Sequence, residues 1–216
     1  MKKIGRLHVL TDIQVQHRFT HVHLAEMAIA GGADTIQFRQ KQGNMREMIG
    51  IARDMKSLCK KAGVTLIVND RIDIAIAAEA NGVHLGQDDF PITLARRLLG
   101  NDKIIGGSAR NLEEALECVN QGADYIGFGP VYSTLSKEDA GTATGIELLK
   151  EISETISIPV IAIGGIGPVN IHEVIRSGAH GIAVISAVCC NPDPEQATRI
   201  LKEAMNYDVP NTGGNR

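Results

Sequence analysis

Three short stretches end apolar runs on groups that carry charge. TIQFRQK (35–41) sets Gln37 and Arg39 on one face of a strand, with Lys41 just past its end. TLIVND (65–70) closes on Asn69 and Asp70, and GVHLGQDD (82–89) closes on Gln87, Asp88 and Asp89. Carboxylates that bind through one or two oxygens, with room left for water and phosphate, suit Mg2+. An Arg turned into a protein interior needs an anion, supplied by a ligand or by a carboxylate. Each group also has a plainer use. Arg39 would serve as half of a structural Arg–Asp pair with Lys41 solvated, and Asp70 as the N-cap of a helix begun by RIDIAIAAEA.

Two stretches late in the chain, IAIGGIGPVN with its three glycines and AVISAVCC, end the seventh and eighth apolar runs. Glycines let backbone amides approach a phosphate, and a helix N-terminus completes such a site; tight-turn geometry is the alternative. The polar run YSTLSKEDAGTATG (132–145) offers the hydroxyls of Ser133, Thr134 and Ser136 and the cation of Lys137. By composition it is a mobile loop that closes over an anion, or else a surface loop. His84 alternates with Val83 and Leu85 and so points inward, as a core histidine or as a base. His17, His21 and His23 gather near Thr20, a candidate N-cap, and are expected at the surface.

These groups must be positioned by a regular frame. Strand-like runs at 6–11, 35–39, 65–69, 82–86, 103–108, 125–131, 159–165 and 181–186 alternate with amphipathic stretches such as 45–63, 112–122 and 146–156. Strands separated by helices imply βαβ units and a parallel sheet. Eight such units predict an α/β chain closed as a (β/α)8 TIM barrel, a single domain over 1–206 with a frayed tail over 207–216. A doubly wound open sheet is the competing frame. In the barrel the C-terminal strand ends meet at one mouth, which gathers the groups named above. The phrases AGGADTI, ANGVHL, QGADYI and SGAHGI recur at helix-to-strand junctions and suggest repeated glycine C-caps.

Composition narrows the function. Hydrophobic residues make up 44% of the 216, aromatic residues only 3%, and there is no Trp, so the core is aliphatic. A formal charge of −3 gives no reason to expect nucleic acid or an anionic membrane as partner. No stretch approaches a membrane span, and the N-terminal apolar run is too short for a signal peptide. Cys59, Cys118, Cys189 and Cys190 form no CxxC pair and no zinc spacing, which reads as buried or half-buried thiols in a reducing, cytoplasmic setting.

Seven segments in order, QFRQK, VNDRIDIA, GVHLGQDD, IIGGSARN, ADYIGFGPVYSTLSK, IPVIAIGGI and GIAVIS, resemble the thiamine-phosphate synthase (thiamine-phosphate pyrophosphorylase) family over residues 6 to 190. The resemblance implies a Mg2+-dependent transferase that joins hydroxymethylpyrimidine diphosphate to a thiazole phosphate and releases pyrophosphate. The family is described as reacting through a pyrimidine carbocation that the thiazole nitrogen captures. Carried over by motif, Asp70 and Asp89 resemble the magnesium ligands. Arg39, Lys41, Asn69 and Lys137, helped by Ser108, look like the pyrophosphate binders, with Arg39, Ser108 and Lys137 as the catalytic set. Gln37 and His84 resemble the pyrimidine contacts. Thr134, Ser136, Gly165, Ile185 and Ser186 look like the thiazole-phosphate cradle. The implied partners are the two small-molecule substrates; a homo-oligomer is compatible with the chain.

The sequence departs from the family pattern at Thr134-Leu135-Ser136-Lys137, where Thr-x-Thr-Lys is usual. It also departs at GGSAR, where GVST is commoner and a looser phosphate pocket is expected, and in the first loop, DIQVQHRFT. Two rival functions have the same frame. A thiazole tautomerase-like isomerase would need a histidine near the end of strand 6, where Gly129 and Pro130 stand. A non-catalytic phosphate-binding barrel is the other.

Overall fold

The computed structural model describes residues 2–134, 136 and 141–207. Its strands are β1 (Leu7–Thr11), β2 (Thr35–Phe38), β3 (Thr65–Asn69), β4 (Gly82–Leu85), β5 (Ile104–Ala109), β6 (Tyr125–Phe128), β7 (Val160–Ile163) and β8 (Gly181–Val184). All pair in parallel with their sequence neighbours, and β8 pairs with β1 to close the barrel. The helices are α1 (His21–Ala30), α2 (Met45–Ala62), α3 (Ile72–Ala77), α4 (Ile92–Leu99), α5 (Leu112–Asn120), α6 (Ile146–Thr155), α7 (Ile171–Arg176), the single turn α8 (Ser186–Cys189) and α9 (Pro194–Tyr207). The expected TIM barrel is observed, and the open sheet is not. Residues 208–216, most of the expected tail, lie outside the described residues, as do Leu135 and 137–140.

Local chemistry accounts for the elements. In α2 the side chain of Asn44 accepts from the amides of Arg46 and Glu47, and Gly63 ends the helix at φ +68°. An N-cap of this kind is worth about 1 kcal/mol. Met48, Ala52, Met55 and Cys59 recur at helical spacing and form the buried stripe, while Glu47 and the pair Lys60 and Lys61 complement the helix dipole. Thr20 caps α1 as expected, through the amide of His23.

Strand alternation divides the core in two. Ile36, Phe38, Val83, Leu85, Ile126 and Phe128 belong to the large aliphatic layer between barrel and helices. Leu10, Ile67, Ile104, Tyr125, Ile161 and Ala183 fill the barrel itself. Gln37 and His84 share that interior, as the period-2 pattern predicts.

The repeated junctions do more than end helices. Gly32, Gly122 and Gly178 take positive φ, but at the ANGVHL junction the left-handed residue is Glu79 (φ +51°), just before the phrase, and Gly82 already belongs to β4. The expected glycine C-cap therefore fails at that junction. A side chain at Gly82 would meet the carbonyl of Ile104, so the glycine answers to strand spacing instead. The residue just before each even strand is polar and clasps a neighbouring strand or the segment that leads into it. Asp34 accepts from the amides of Arg6 and Leu7, Asn81 from Leu66, and Asp124 from Ile105. His180 donates to the carbonyl of Ile4. Lys202 pairs with Asp34, and Lys2 and Arg96 pair with Asp124, which adds cations to two of these clasps.

Two surface expectations are corrected. His21 is buried, its Nδ1 2.8 Å from Thr11 Oγ1 and its ring edge-on to Phe38, whereas His17 and His23 are exposed. Cys59, Cys118 and Cys189 are buried, but Cys190 is exposed. Among the described residues, no helix is long and apolar enough to cross a membrane.

Candidate active site

The C-terminal ends of the strands surround a cavity of about 550 Å³. Its wall from β2 to β5 is polar and bears Arg39, Lys41, Asn69, Asp70, Asp89 and Ser108. The opposite wall is built from Thr134, Ser136, Gly165, Ile185 and Ser186 with the aliphatic Ile163 and Ile166. Eleven of the residues expected at the site thus face one space, drawn from segments more than a hundred positions apart.

Arg39 is held by a residue the sequence reading left out. Its Nη1 donates to Asp12 Oδ2, just past β1, and both side chains are buried. The Arg–Asp pair considered as the plainer use of Arg39 is therefore present, but Arg39 lines the cavity as well. Its Nε is buried without a partner among the described residues. Asp12 also accepts from the amide of Gln14, which stiffens the turn that carries it.

Asp70 does not cap α3. The N-cap position belongs to Arg71 and carries no side-chain cap bond. Asp70 instead adopts φ +65°, a left-handed conformation that costs a non-glycine residue about 1 kcal/mol or more. Its carboxylate accepts from Asn69 Nδ2, and Asn69 Oδ1 is left buried without a partner among the described residues. Strain at a cavity wall, in a carboxylate beside an unpartnered amide oxygen, marks a place shaped for a ligand. Asp89 folds back to accept from the amide of Gly86 at 2.6 Å, which fixes one oxygen of a carboxylate that lines the cavity.

On the opposite wall, Gly164 and Gly165 follow β7 with φ +102° and +62°. A methyl group at Gly165 would lie 2.7 Å from the Ser133 carbonyl, so the backbone approaches the neighbouring loop as only glycine allows. Ser136 Oγ donates to Ser186 Oγ at 2.9 Å, joining the segment after β6 to the end of β8.

Three expectations need adjusting. Gln37 and His84 do not line the cavity; they lie in the barrel beneath it, bonded to His8, Tyr125 and Ser108. There His8 is driven down to about 4 by burial, and burial also raises the Tyr125 phenol, so both rings stay neutral. The second glycine of GGSAR does not loosen the pocket. Gly107 faces Cys118 and Ile92, so its missing side chain makes room for α4 and α5. Lys137 and the centre of the expected lid lie outside the described residues.

Comparison with known proteins agrees with this geometry. Residues 7–188 match the family model described as thiamine monophosphate synthase. The chain is 51% identical over 205 residues to the thiamine-phosphate synthase of Salinibacter ruber, with 95% of this chain and 90% of that one covered. The chain belongs to the thiamine-phosphate synthase family. It is also 49% identical to the Chloroflexus aurantiacus member over 93% of both chains. Among solved structures it is similar to thiamine phosphate pyrophosphorylase from Pyrococcus furiosus, with TM-score 0.87, 40% identity, and 94% and 96% of the two chains covered.

Membership makes the chain a transferase of thiamine biosynthesis. It also fits the end of β6, where Gly129 and Pro130 line the cavity and offer no ring nitrogen of the kind a tautomerase-like isomerase would need. The residue that sequence reasoning missed, Asp12, follows LHVLT just as Asp70 follows TLIVN, so the same rule would have found it.

Proposed function

We propose that the polar wall seats the diphosphate of a hydroxymethylpyrimidine diphosphate and that the glycine and hydroxyl wall seats a thiazole phosphate. The observation that carries this reading is the single cavity with two unlike walls. Arg39, Lys41, Asn69 and Ser108 supply donors and charge where a leaving pyrophosphate accumulates negative charge. Gly165, Thr134, Ser136, Ile185 and Ser186 offer hydroxyls and close backbone approach to a monophosphate. Lys137 joins the first group by its motif position.

The donor set fits Mg2+. Asp70 and Asp89 offer only oxygen, and no group of three or more His, Cys, Asp or Glu able to hold a metal occurs among the described residues. Mg2+ is commonly held by one or two carboxylates together with substrate phosphates. Asn69 Oδ1, without a partner among the described residues, is a further oxygen next to Asp70. When bound, the ion would neutralise charge on the departing pyrophosphate. The chain's own part is to orient the diphosphate through Arg39 and Ser108 and to hold the thiazole phosphate across the cavity. Its aliphatic wall keeps water from the carbon that loses pyrophosphate.

Pyrophosphate release from the pyrimidine diphosphate, measured with and without thiazole phosphate and over a Mg2+ titration, tests the assignment. Thiamine phosphate should form in step with pyrophosphate, and chelation should abolish both. Product formation that is unaffected by chelation would refute the metal assignment.

A further inference from the structure

Beneath the polar wall a buried chain of side chains leads from the closed end of the barrel to Ser108. His8 Nε2 lies 3.0 Å from the Gly5 carbonyl, near the closed end of the barrel. Gln37 Nε2 lies 3.0 Å from His8 Nδ1 and 3.5 Å from Tyr125 Oη. His84 Nδ1 lies 3.0 Å from Tyr125 Oη, and His84 Nε2 lies 3.0 Å from Ser108 Oγ. Ser108 is the member that reaches the cavity.

The direction of each bond follows from its starting point. A carbonyl only accepts, so His8 carries its proton on Nε2 and its Nδ1 is an acceptor. Gln37 must then present its amide nitrogen to His8, and its second hydrogen points at the Tyr125 oxygen. The phenol has one hydrogen, which goes to His84 Nδ1. His84 is therefore the Nε2–H tautomer and donates to Ser108 Oγ. With one of its two lone pairs taken by His84, Ser108 keeps its hydrogen for a partner on the cavity side.

The packing holds the rings in place. Tyr125 stacks on His84 at 28° and meets His8 edge-on. A methyl at Gly106 would lie 2.2 Å from Tyr125 Cζ and 2.5 Å from His84 Nδ1, and one at Gly127 would lie 2.7 Å from His84 Cε1. Both rings thus occupy space that two glycines leave open.

We infer that His8, Gln37, Tyr125 and His84 are positioning residues that polarise one hydrogen-bond chain, so that Ser108 does not give its hydrogen to His84 and keeps it for the diphosphate. This rests on the placement of the diphosphate proposed above. A serine that gave its hydrogen to His84 would turn only lone pairs toward the polyanion, so fixing the direction before binding removes a reorganisation at the moment of charge separation.

Two measurements test the inference. Long-range 1H–15N correlation of the histidine-labelled protein should show His8 and His84 both as Nε2–H tautomers, with no ligand present; His84 as the Nδ1–H tautomer overturns it. Calorimetric binding of inorganic pyrophosphate in excess Mg2+ should weaken about 3- to 10-fold in Tyr125→Phe, the order of one hydrogen bond. The KM for thiazole phosphate should stay unchanged, because a general loss of packing would move both. In the Ser108→Ala background, Tyr125→Phe should weaken pyrophosphate binding no further. Full additivity there overturns the chain's role while leaving the diphosphate placement standing. Wild-type pyrophosphate affinity in Ser108→Ala would refute that placement itself, and the inference with it.

Discussion

Arg39 and Asp12 form a buried ion pair between the ends of β2 and β1, at the edge of the cavity. Removing one member of such a pair leaves an uncompensated buried charge, which costs about 3–5 kcal/mol. Asp12→Asn should therefore lower stability in the free protein. Pyrophosphate should restore part of the loss, because it offers the guanidinium another anion. The check is a thermal-shift titration, in which pyrophosphate should raise the melting temperature more in the variant than in the wild type. Equal shifts would mean that Arg39 does not bind the anion. Arg39→Met should in turn reduce kcat/KM for the pyrimidine diphosphate by about 10- to 150-fold, the range of a charge-assisted contact. The value for thiazole phosphate should change little.

Asp70 combines a left-handed backbone with a carboxylate on the cavity wall. Alanine would mix two effects, since it loses the charge and also suits φ +65° poorly. Asn tolerates this conformation, so Asp70→Asn isolates the charge. Activity at limiting Mg2+ should fall by about 10²-fold or more, several kcal/mol of leaving-group stabilisation, with the unfolding midpoint unchanged. Asp70→Gly should be equally inactive but more stable, by about 0.5–1 kcal/mol. An active Asp70→Asn protein at limiting Mg2+ would sink the assignment of this carboxylate.

Gly165 tests the other wall. A methyl group there meets the Ser133 carbonyl and must also accept φ +62°. Gly165→Ala should displace the loop after β7 and raise the KM for thiazole phosphate roughly 5- to 30-fold, as expected for about 1–2 kcal/mol of strain. The KM for the pyrimidine diphosphate should hold. Parallel rises in both values would show that the two walls are not separate subsites.

His8 and His21 are both lowered to about 4, chiefly by burial, with Asp12 opposing the shift at His21. Between pH 6.5 and 4 the unfolded chain takes up protons at these rings that the native protein does not. Their contribution to stability is thus complete above pH 6.5 and is lost as pH falls toward 4, on the order of 3 kcal/mol for each ring. Asp34 and Asp124 act in the same direction at lower pH. Burial alone would raise their carboxyls, but the hydrogen bonds from Lys202 and Lys2 and from strand amides hold them below the usual range. Urea midpoints should be flat above neutrality and decline from pH 6.5 downward, and 15N shifts should show His8 still neutral at pH 5. A charged His8 at that pH would contradict its isolation from solvent.

The frame was legible because a parallel barrel repeats a simple rule. Each strand is apolar on the helix side, each helix carries its own stripe, and strand ends share one mouth. That rule located β1 to β8 to within a few residues and brought Arg39, Asn69, Asp70, Asp89 and Ser108 together. It does not separate a residue at the mouth from one a layer below: Gln37 and His84, whose motif positions resemble pyrimidine contacts, lie beneath the residues that line the cavity. The difference is set by Tyr125, a partner about ninety positions from Gln37 whose reach no local pattern reveals. His21 was misjudged for a similar reason, because its burial depends on Thr11 and Phe38, from β1 and β2. Asp12, by contrast, was legible by the strand-end rule, since it follows β1 as Asp70 follows β3.

The polar clasps at the closed end divide the ring unequally. Asp34, Asn81 and Asp124 each bind the strand just before their own in sequence, within β1–β2, β3–β4 and β5–β6. His180 instead reaches back to Ile4, across 176 positions. The first three can form inside nascent strand pairs at small entropic cost, but the fourth must wait until the whole chain has come round. The β8–β1 junction is accordingly the seam of the barrel, last to zip and first to part. Native-state hydrogen exchange should detect it as a partial opening in which the Ile182 amide, bonded to the Arg6 carbonyl, exchanges ahead of the amides between β3 and β4.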